Sequence, residues 1–127
     1  MEFSFGILIF LAIFVGLIDL SRAVMTFNGV AQAAREIARE TSLHPGTGAL
    51  GASPESQAVV ATQKRLVPGL QDPTYECYDI TGVLQVDACQ ASDWVRVNAS
   101  AIFQPSMPLL TMLGPLTLTS SSSTELQ

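Results

Sequence analysis

The sequence has little charge, few aromatic residues and a single histidine. Charged residues make up 13% of the 127 residues and aromatic residues 7%, whereas an ordinary soluble domain contains roughly 25% charged residues. Six basic residues stand against eleven acidic ones, which gives a formal charge of −5. Because a net negative chain is repelled by phosphate backbones, this composition excludes a nucleic-acid binder built on basic patches. It also excludes a disordered polyelectrolyte and most metal sites.

Two further absences mark the first third of the chain. No charged residue occurs from 3 to 18, and no proline occurs before Pro45. Twelve of the sixteen residues from 3 to 18 are Phe, Ile, Leu or Val. As a helix, this run spans about 24 Å, whereas the hydrocarbon core of a bilayer is about 30 Å thick. The run therefore predicts a short membrane-spanning or filament-core segment.

Beyond Asp19 the pattern becomes amphipathic. Apolar and small residues recur at spacings of three and four, and polar residues fill the other side, which is typical of a helix with one buried face. The sequence His44-Pro45-Gly46 is a helix terminator. We therefore predict one helix over residues 3–43, with an amphipathic part over 19–43. Its predicted inner face consists of Phe27, Val30, Ala31, Ala34, Ile37, Ala38 and Thr41.

The predicted helix is too long to be covered by the rest of the chain. Forty-one residues extend for about 62 Å, and burying twelve large apolar side chains is worth about 20–30 kcal/mol. Lipid or other copies of the chain must therefore cover its first half. Ala12 and Gly16 lie four residues apart, a spacing that permits close helix contact, although small residues also fall at this spacing by chance.

Residues 44–127 predict a small head of α+β class, with one short helix and an antiparallel sheet of three to four strands. Ser53-Pro54-Glu55 has the pattern of a helix start, and Pro68-Gly69 ends the helix predicted over 54–67. Its predicted inner face is Val59, Thr62, Leu66 and Val67. The predicted strands are 75–80, 83–88, 94–103 and 116–120.

Cys77 and Cys89 flank a predicted turn at Thr81-Gly82. A disulfide between them closes a loop of about 13 residues and is worth about 3 kcal/mol, and it indicates an oxidising compartment. Two buried free thiols are the alternative. We also expect Trp94 in the core and a frayed polar tail from Ser120 onwards.

The sequence predicts no enzyme, metal or cofactor site. The single histidine, His44, lies in a loop and offers no catalytic triad. Asp79, Asp87 and Asp93 are scattered near turns and fit a solvated surface better than a calcium site. Asn98 begins a glycosylation acceptor pattern, which we interpret as incidental on a strand.

The connection over residues 104–114 is apolar and contains prolines. It either covers one end of the sheet or forms a patch that contacts a neighbouring subunit. The residues of this predicted patch are Met107, Leu109, Leu110, Met112 and Leu113.

Three motifs follow one another along the predicted helix. Residues 1–5 read MEFSF, residues 16–22 read GLIDLSR and residues 33–39 read AAREIAR. They resemble the VEFA opening, the GIIDFGR junction and the AAREGAR stretch of the TadE-like family of tight-adherence (Flp) pilus pilins. The head resembles the family's C-terminal strand pattern only loosely.

This resemblance implies a pilin-like protein. Such a protein is made with a short basic leader, which a prepilin peptidase cuts. The first basic residue of this sequence is Arg22, so either a basic leader was removed and Met1 is a mature terminus, which we expect, or the numbering begins at an unusual start codon. Such a protein is held in the inner membrane and then packed into or beneath an extracellular filament. The implied partners are copies of itself, other pilins and the inner-membrane assembly machinery. The family's N-terminal Glu corresponds to Glu2.

The chemistry of Glu2 points to the same surface. A carboxylate at the apolar end of a helix costs about 2.5–3.5 kcal/mol in hydrocarbon, and less beside the terminal ammonium of another copy or a helix dipole. An exposed Glu at the membrane surface is the alternative. Asp19 and Arg22 form an i,i+3 pair, either an ordinary interfacial pair or one covered inside a filament. The predicted assembly residues are Met1, Glu2, Phe3, Gly6, Ala12, Gly16, Asp19 and Arg22.

Two functions fit these features. The first is a structural pilus subunit that assembles through its apolar helix and serves surface attachment. The second is a single-pass membrane-anchored module or assembly factor, facing the periplasm or exterior, which binds another protein without polymerising.

Overall fold

A computed structural model describes residues 2–46, 48–85, 89–106 and 114–127. Within these ranges the chain forms two helices and one antiparallel sheet of four strands, so the predicted α+β class is confirmed. The elements are α1 (Glu2–Leu43), α2 (Pro54–Leu66), β1 (Thr74–Tyr78), β2 (Leu84–Gln85), β3 (Trp94–Phe103) and β4 (Leu116–Glu125).

The second half of α1 packs against α2 and one face of the sheet. A stripe of buried and half-buried residues runs along it from Asp19 through Ala23 and Thr26 to Val30, at alternating steps of four and three. Phe27 lies one residue beyond this stripe and is 46% exposed. Its predicted place on the inner face is therefore wrong.

Strand β3 lies at the centre of the sheet, whose order is β2-β1-β3-β4. Its alternate residues are buried from Val95 to Phe103, as the period-two pattern predicts. Two of them, Ala99 and Ala101, are small, and they belong to the same buried cluster as Ala34 of α1. The small side chains on both surfaces let the helix approach the sheet closely.

Trp94 is 44% exposed, so its predicted place in the core is wrong. Val95 next to it is fully buried. Because neighbouring residues of a strand point to opposite faces, Trp94 faces outward.

The predicted frayed tail is also wrong. Ser120 to Ser123 belong to β4 and pair with β3 from Ala99 back to Arg96. Leu126 is 5% exposed, and its N–H donates to the Asp93 carbonyl at 2.8 Å. Backbone pairing along ten residues of β3 and this buried anchor order a serine-rich segment that lacks the composition of a strand.

Helix α2 begins as predicted. The Ser53 side chain accepts from the Ser56 N–H at 3.2 Å, and Pro54 follows the cap. The inner face is only partly as predicted, because Thr62 and Leu66 are exposed whereas Val59 is half-buried and Val67 buried. The inner face of α2 instead includes Ser56, which is fully buried, and it passes one residue after Thr62 and one residue after Leu66.

The strands before β3 are shorter than predicted, since β1 ends at Tyr78 and β2 covers Leu84 and Gln85. The rest of the predicted second strand, residues 86–88, lies outside the described residues. Cys77 and Cys89 are joined by a disulfide, with their Cα atoms 6.0 Å apart. The alternative of two free thiols does not occur in this structure.

Candidate assembly surface

The first half of α1 projects as an exposed apolar helix. We call residues 3–18 the stem. Its twelve large apolar side chains are between 40% and 82% exposed, with Phe3 at 82% and Val15 at 40%. The helix is long and apolar enough to cross a membrane, and only 6% of its most apolar window is buried by the rest of the chain.

The predicted packing positions lie on the open surface of the stem. A Cβ placed on Gly6 meets nothing within 4 Å. Ala12 is exposed and Gly16 is half-buried. Contact between these small residues and another helix stays a prediction, because a single chain contains no second stem.

The first residue beyond the stem is buried and bonded. Asp19 is 3% exposed, whereas Leu20 beside it is 60% exposed. The Arg22 Nη1 atom lies 3.3 Å from Asp19 Oδ1, so the i,i+3 pair is present. The backbone N–H of Ser106 donates to Asp19 Oδ2 at 3.0 Å. A carboxylate that accepts from a charged group and a backbone N–H is well satisfied despite its burial.

Arg22 closes this cluster. Its Nη1 also donates to the Ser106 hydroxyl at 2.6 Å, and its guanidinium carbon lies 5.9 Å from the Phe103 ring centre. Asp19, Arg22 and Ser106 therefore form a clamp that joins the end of the stem to the segment after β3. Sequence spacing predicts the first pair, whereas Ser106 is 87 residues from Asp19 in the chain and no local pattern connects them.

A groove of about 880 Å³ opens beside the clamp, between α1, the end of α2 and the end of β3. We call it the base groove. Its α1 wall runs from Arg22 to Gln32, and its other walls are residues 66–69 and 102–104. Its rim has three exposed apolar side chains, with exposed fractions of 78% for Met25, 68% for Leu66 and 41% for Ile102. Sequence reasoning missed this groove, because three separate segments form it.

Within the part of the chain that the structure describes, Arg22 is the one charged residue that lines the base groove. It lies at the end of the groove nearest the stem, and its side chain is 54% exposed. The clamp therefore leaves part of the guanidinium open to the groove or to solvent.

Some predicted assembly residues are not described. Met1 lies outside the described residues, and Glu2 is described only as the first residue of α1. The predicted intersubunit patch of Met107, Leu109, Leu110, Met112 and Leu113 also lies outside them. These expectations stay predictions.

The described part of the head holds no group of three His, Cys, Asp or Glu side chains placed to bind a metal ion. His44 Nδ1 lies 2.9 Å from Glu40 Oε1, one turn back on α1. Asn98 is half-buried within β3, opposite Thr74 and Ser121, and its glycosylation is not tested.

Asp79 organises the turn between β1 and β2. Its carboxylate accepts from the Thr81 hydroxyl and from the backbone N–H groups of Thr81 and Val83. Chiefly the hydrogen bond from the Thr81 side chain holds the pKa of Asp79 below its ordinary value of 3.8. This is a structural turn of the kind that Asp favours.

Comparison with protein families gives a match at the start of the chain. Residues 1–39 match the family described as TadE-like protein, which confirms the resemblance of the three helix motifs. The match covers the stem, Asp19, Arg22 and most of α1. The family is associated with pili and is not an enzyme family. No curated protein and no solved structure matches the chain.

Proposed function

We propose that this chain, a TadE-like protein through its first 39 residues, is a structural subunit of a tight-adherence pilus. It assembles through the stem and serves surface attachment. The observation that carries this proposal is the exposure of the stem, whose large apolar side chains are all at least 40% exposed.

The exposed apolar surface of the stem must be buried against lipid or other protein. Burial of its twelve large apolar side chains is worth about 20–30 kcal/mol, and α1 continues unbroken from the stem into the part that packs on the sheet. The chain therefore cannot fold the stem back over its own core. Lipid covers the stem before assembly, and the stems of sister subunits cover it in the filament.

This function implies a sequence of partners. A prepilin peptidase acts on the precursor, the inner-membrane machinery extracts the subunit, and copies of the chain or other pilins receive it. The subunit accordingly moves from the inner membrane to an extracellular filament. The oxidised Cys77–Cys89 pair supports a head on the outer side of the membrane.

One observation also supports a second function. The apolar helix is also long enough to anchor a single chain in a membrane. A membrane-anchored module that binds another protein without polymerising would expose the same stem to lipid.

Substitution of small stem residues separates the two functions. We expect Ala12→Leu and Gly16→Leu to abolish filaments, because bulky side chains prevent close helix contact, while membrane insertion persists. Leu11→Ile is the matched control, since it changes shape on the same stem without adding volume. Negative-stain images of material sheared from cells, with labelling of this chain, give the readout. Dispersed particles from the unsubstituted chain, or unchanged fibres from both Leu variants, would contradict the proposal.

A further inference from the structure

We propose that the base groove receives the stem of a second copy in parallel orientation, displaced by twenty residues so that its Glu2 lies opposite Arg22. This inference rests on the proposed function and specifies the contact between subunits. Residue n of the incoming stem then lies beside residue n+20 of α1. The two copies are offset by about 30 Å along the helix axis.

The lengths of the two surfaces agree. The α1 wall of the groove runs from Arg22 to Gln32, which is about 15 Å. The incoming stem covers the same distance in the ten steps from Glu2 to Ala12. The wall residues recur at steps of three and four along α1, so they form one continuous helix face.

The chemistry of the two surfaces also agrees. Met25, Leu66 and Ile102 expose apolar side chains at the groove rim, and residues 3–12 of the stem contain no charge. In the proposed register Phe5, which is 72% exposed, lies beside Met25, which is 78% exposed. Contact between them removes apolar surface from water or lipid on both copies.

Charge fixes the register and the direction. Glu2 is the one charged residue before Asp19 in the sequence, and among the described residues that line the groove Arg22 is the one charged residue. Each lies at the end of its surface that the parallel arrangement brings together. An antiparallel stem would place Ala12 beside Arg22 and Glu2 beside Gln32, where no described residue that lines the groove offers the carboxylate a cation.

Cysteine cross-linking in filaments tests this register. Phe5→Cys combined with Met25→Cys places both thiols at exposed positions twenty residues apart. Within one chain they are about 30 Å apart on a continuous helix, so any disulfide between them joins two copies. The native cysteines are already paired with each other and do not compete.

The matched control keeps Met25→Cys and moves the other cysteine to Val15, about 15 Å out of register. Disulfides form only when the Cα atoms lie within about 7 Å, so we expect about tenfold more linked dimers and higher oligomers from the 5/25 pair than from the 15/25 pair. Ala12→Cys with Gln32→Cys is a second pair in the proposed register. Oxidised, sheared fibres on a non-reducing gel give the readout.

The outcomes separate the contact from the function. A ladder from the 5/25 or 12/32 pair but not from 15/25 supports the proposed register. Fibres that link neither pair, as when a lipid or another protein occupies the groove, overturn the register and leave the pilin proposal standing. An unsubstituted chain that never forms fibres overturns the proposed function itself.

Discussion

Asp19 shows how one residue joins the two halves of this molecule. Its carboxylate lies at the boundary between the exposed stem and the packed part of α1, yet it is 3% exposed. It accepts from Ser106 and pairs with Arg22. A buried acceptor with two such partners is costly to remove, because its partners lose hydrogen bonds that water does not fully replace.

We expect Asp19→Ala to lower the free energy of unfolding by about 1–3 kcal/mol, since the Ser106 N–H and the Arg22 guanidinium both lose their acceptor. Urea unfolding of the full chain in detergent measures this. Glu36→Ala is the control, because Glu36 is exposed and lies 3.9 Å from its partner Arg39, and we expect a change below about 0.5 kcal/mol. Equal effects of the two substitutions would show that the clamp contributes nothing.

The lowered pKa of Asp79 predicts that the stability of the head depends on pH. Its pKa in the folded chain is lower than its ordinary value of 3.8, so folding favours the charged carboxylate. The resulting stabilisation is fully present above that ordinary value and disappears as the pH falls through the lower, folded value. We therefore expect Asp79→Asn to be less stable than the unsubstituted chain at neutral pH. The difference should vanish in strong acid.

Thermal unfolding across this pH range checks the prediction for Asp79. Asp72→Asn is a suitable control, because Asp72 is 87% exposed and pairs with the Lys64 ammonium rather than with a turn. A gap between the Asp79→Asn and unsubstituted chains that stays constant with pH would exclude the proposed role of the carboxylate charge.

At the scale of helices and strands, the sequence predicts those elements whose apolar residues follow a clear pattern. The helix that the structure places at Glu2–Leu43 and the strand at Trp94–Phe103 both follow from the spacing of their apolar residues. Only the first half of β4 is predicted, over residues 116–120, because the serines that follow have no strand signal of their own and are ordered by pairing with β3. In the same way, the i,i+3 spacing of Asp19 and Arg22 predicts their pair, but only the folded chain brings Ser106 to it.

The contact between α1 and the sheet depends on small side chains, and a larger one will separate them. Ala34 is fully buried and belongs to one cluster with Ala99 and Ala101 of β3. We expect Ala34→Leu to cost about 1–3 kcal/mol of unfolding free energy through overpacking. The adjacent exposed residue gives the control, Arg35→Leu. A stable Ala34→Leu chain with an unchanged melting temperature would show that the helix and sheet are loosely packed.

As a whole, the molecule is amphiphilic along one axis, because the exposed apolar stem forms the first half of α1 and the head packs against its second half. The part of the chain that matches the TadE-like family, residues 1–39, includes the entire stem. The family match thus includes the exposed apolar surface of the molecule. The contacts that only the folded chain shows, such as those of Ser106 and β4, lie in the head.

We expect the isolated full-length chain to stay dispersed only in detergent, and to form fibres or large aggregates when the detergent is removed, because the stem then has no other cover. Analytical ultracentrifugation before and after removal measures the change. A charged variant in the stem, Phe10→Glu, should reduce this self-association. A stable monomer of the unsubstituted chain in detergent-free buffer would refute the account of the stem.

The position of β4 in the sequence determines the order in which the parts of the protein can fold. This strand pairs along its whole length with β3 and packs against α1, and Leu126 just beyond it fastens the sheet to Asp93. During synthesis the apolar stem leaves the ribosome long before the residues of β4, which complete the sheet. In the proposed function, the stem therefore inserts into the bilayer before β4 can pair with β3, and the sheet is completed only after that insertion.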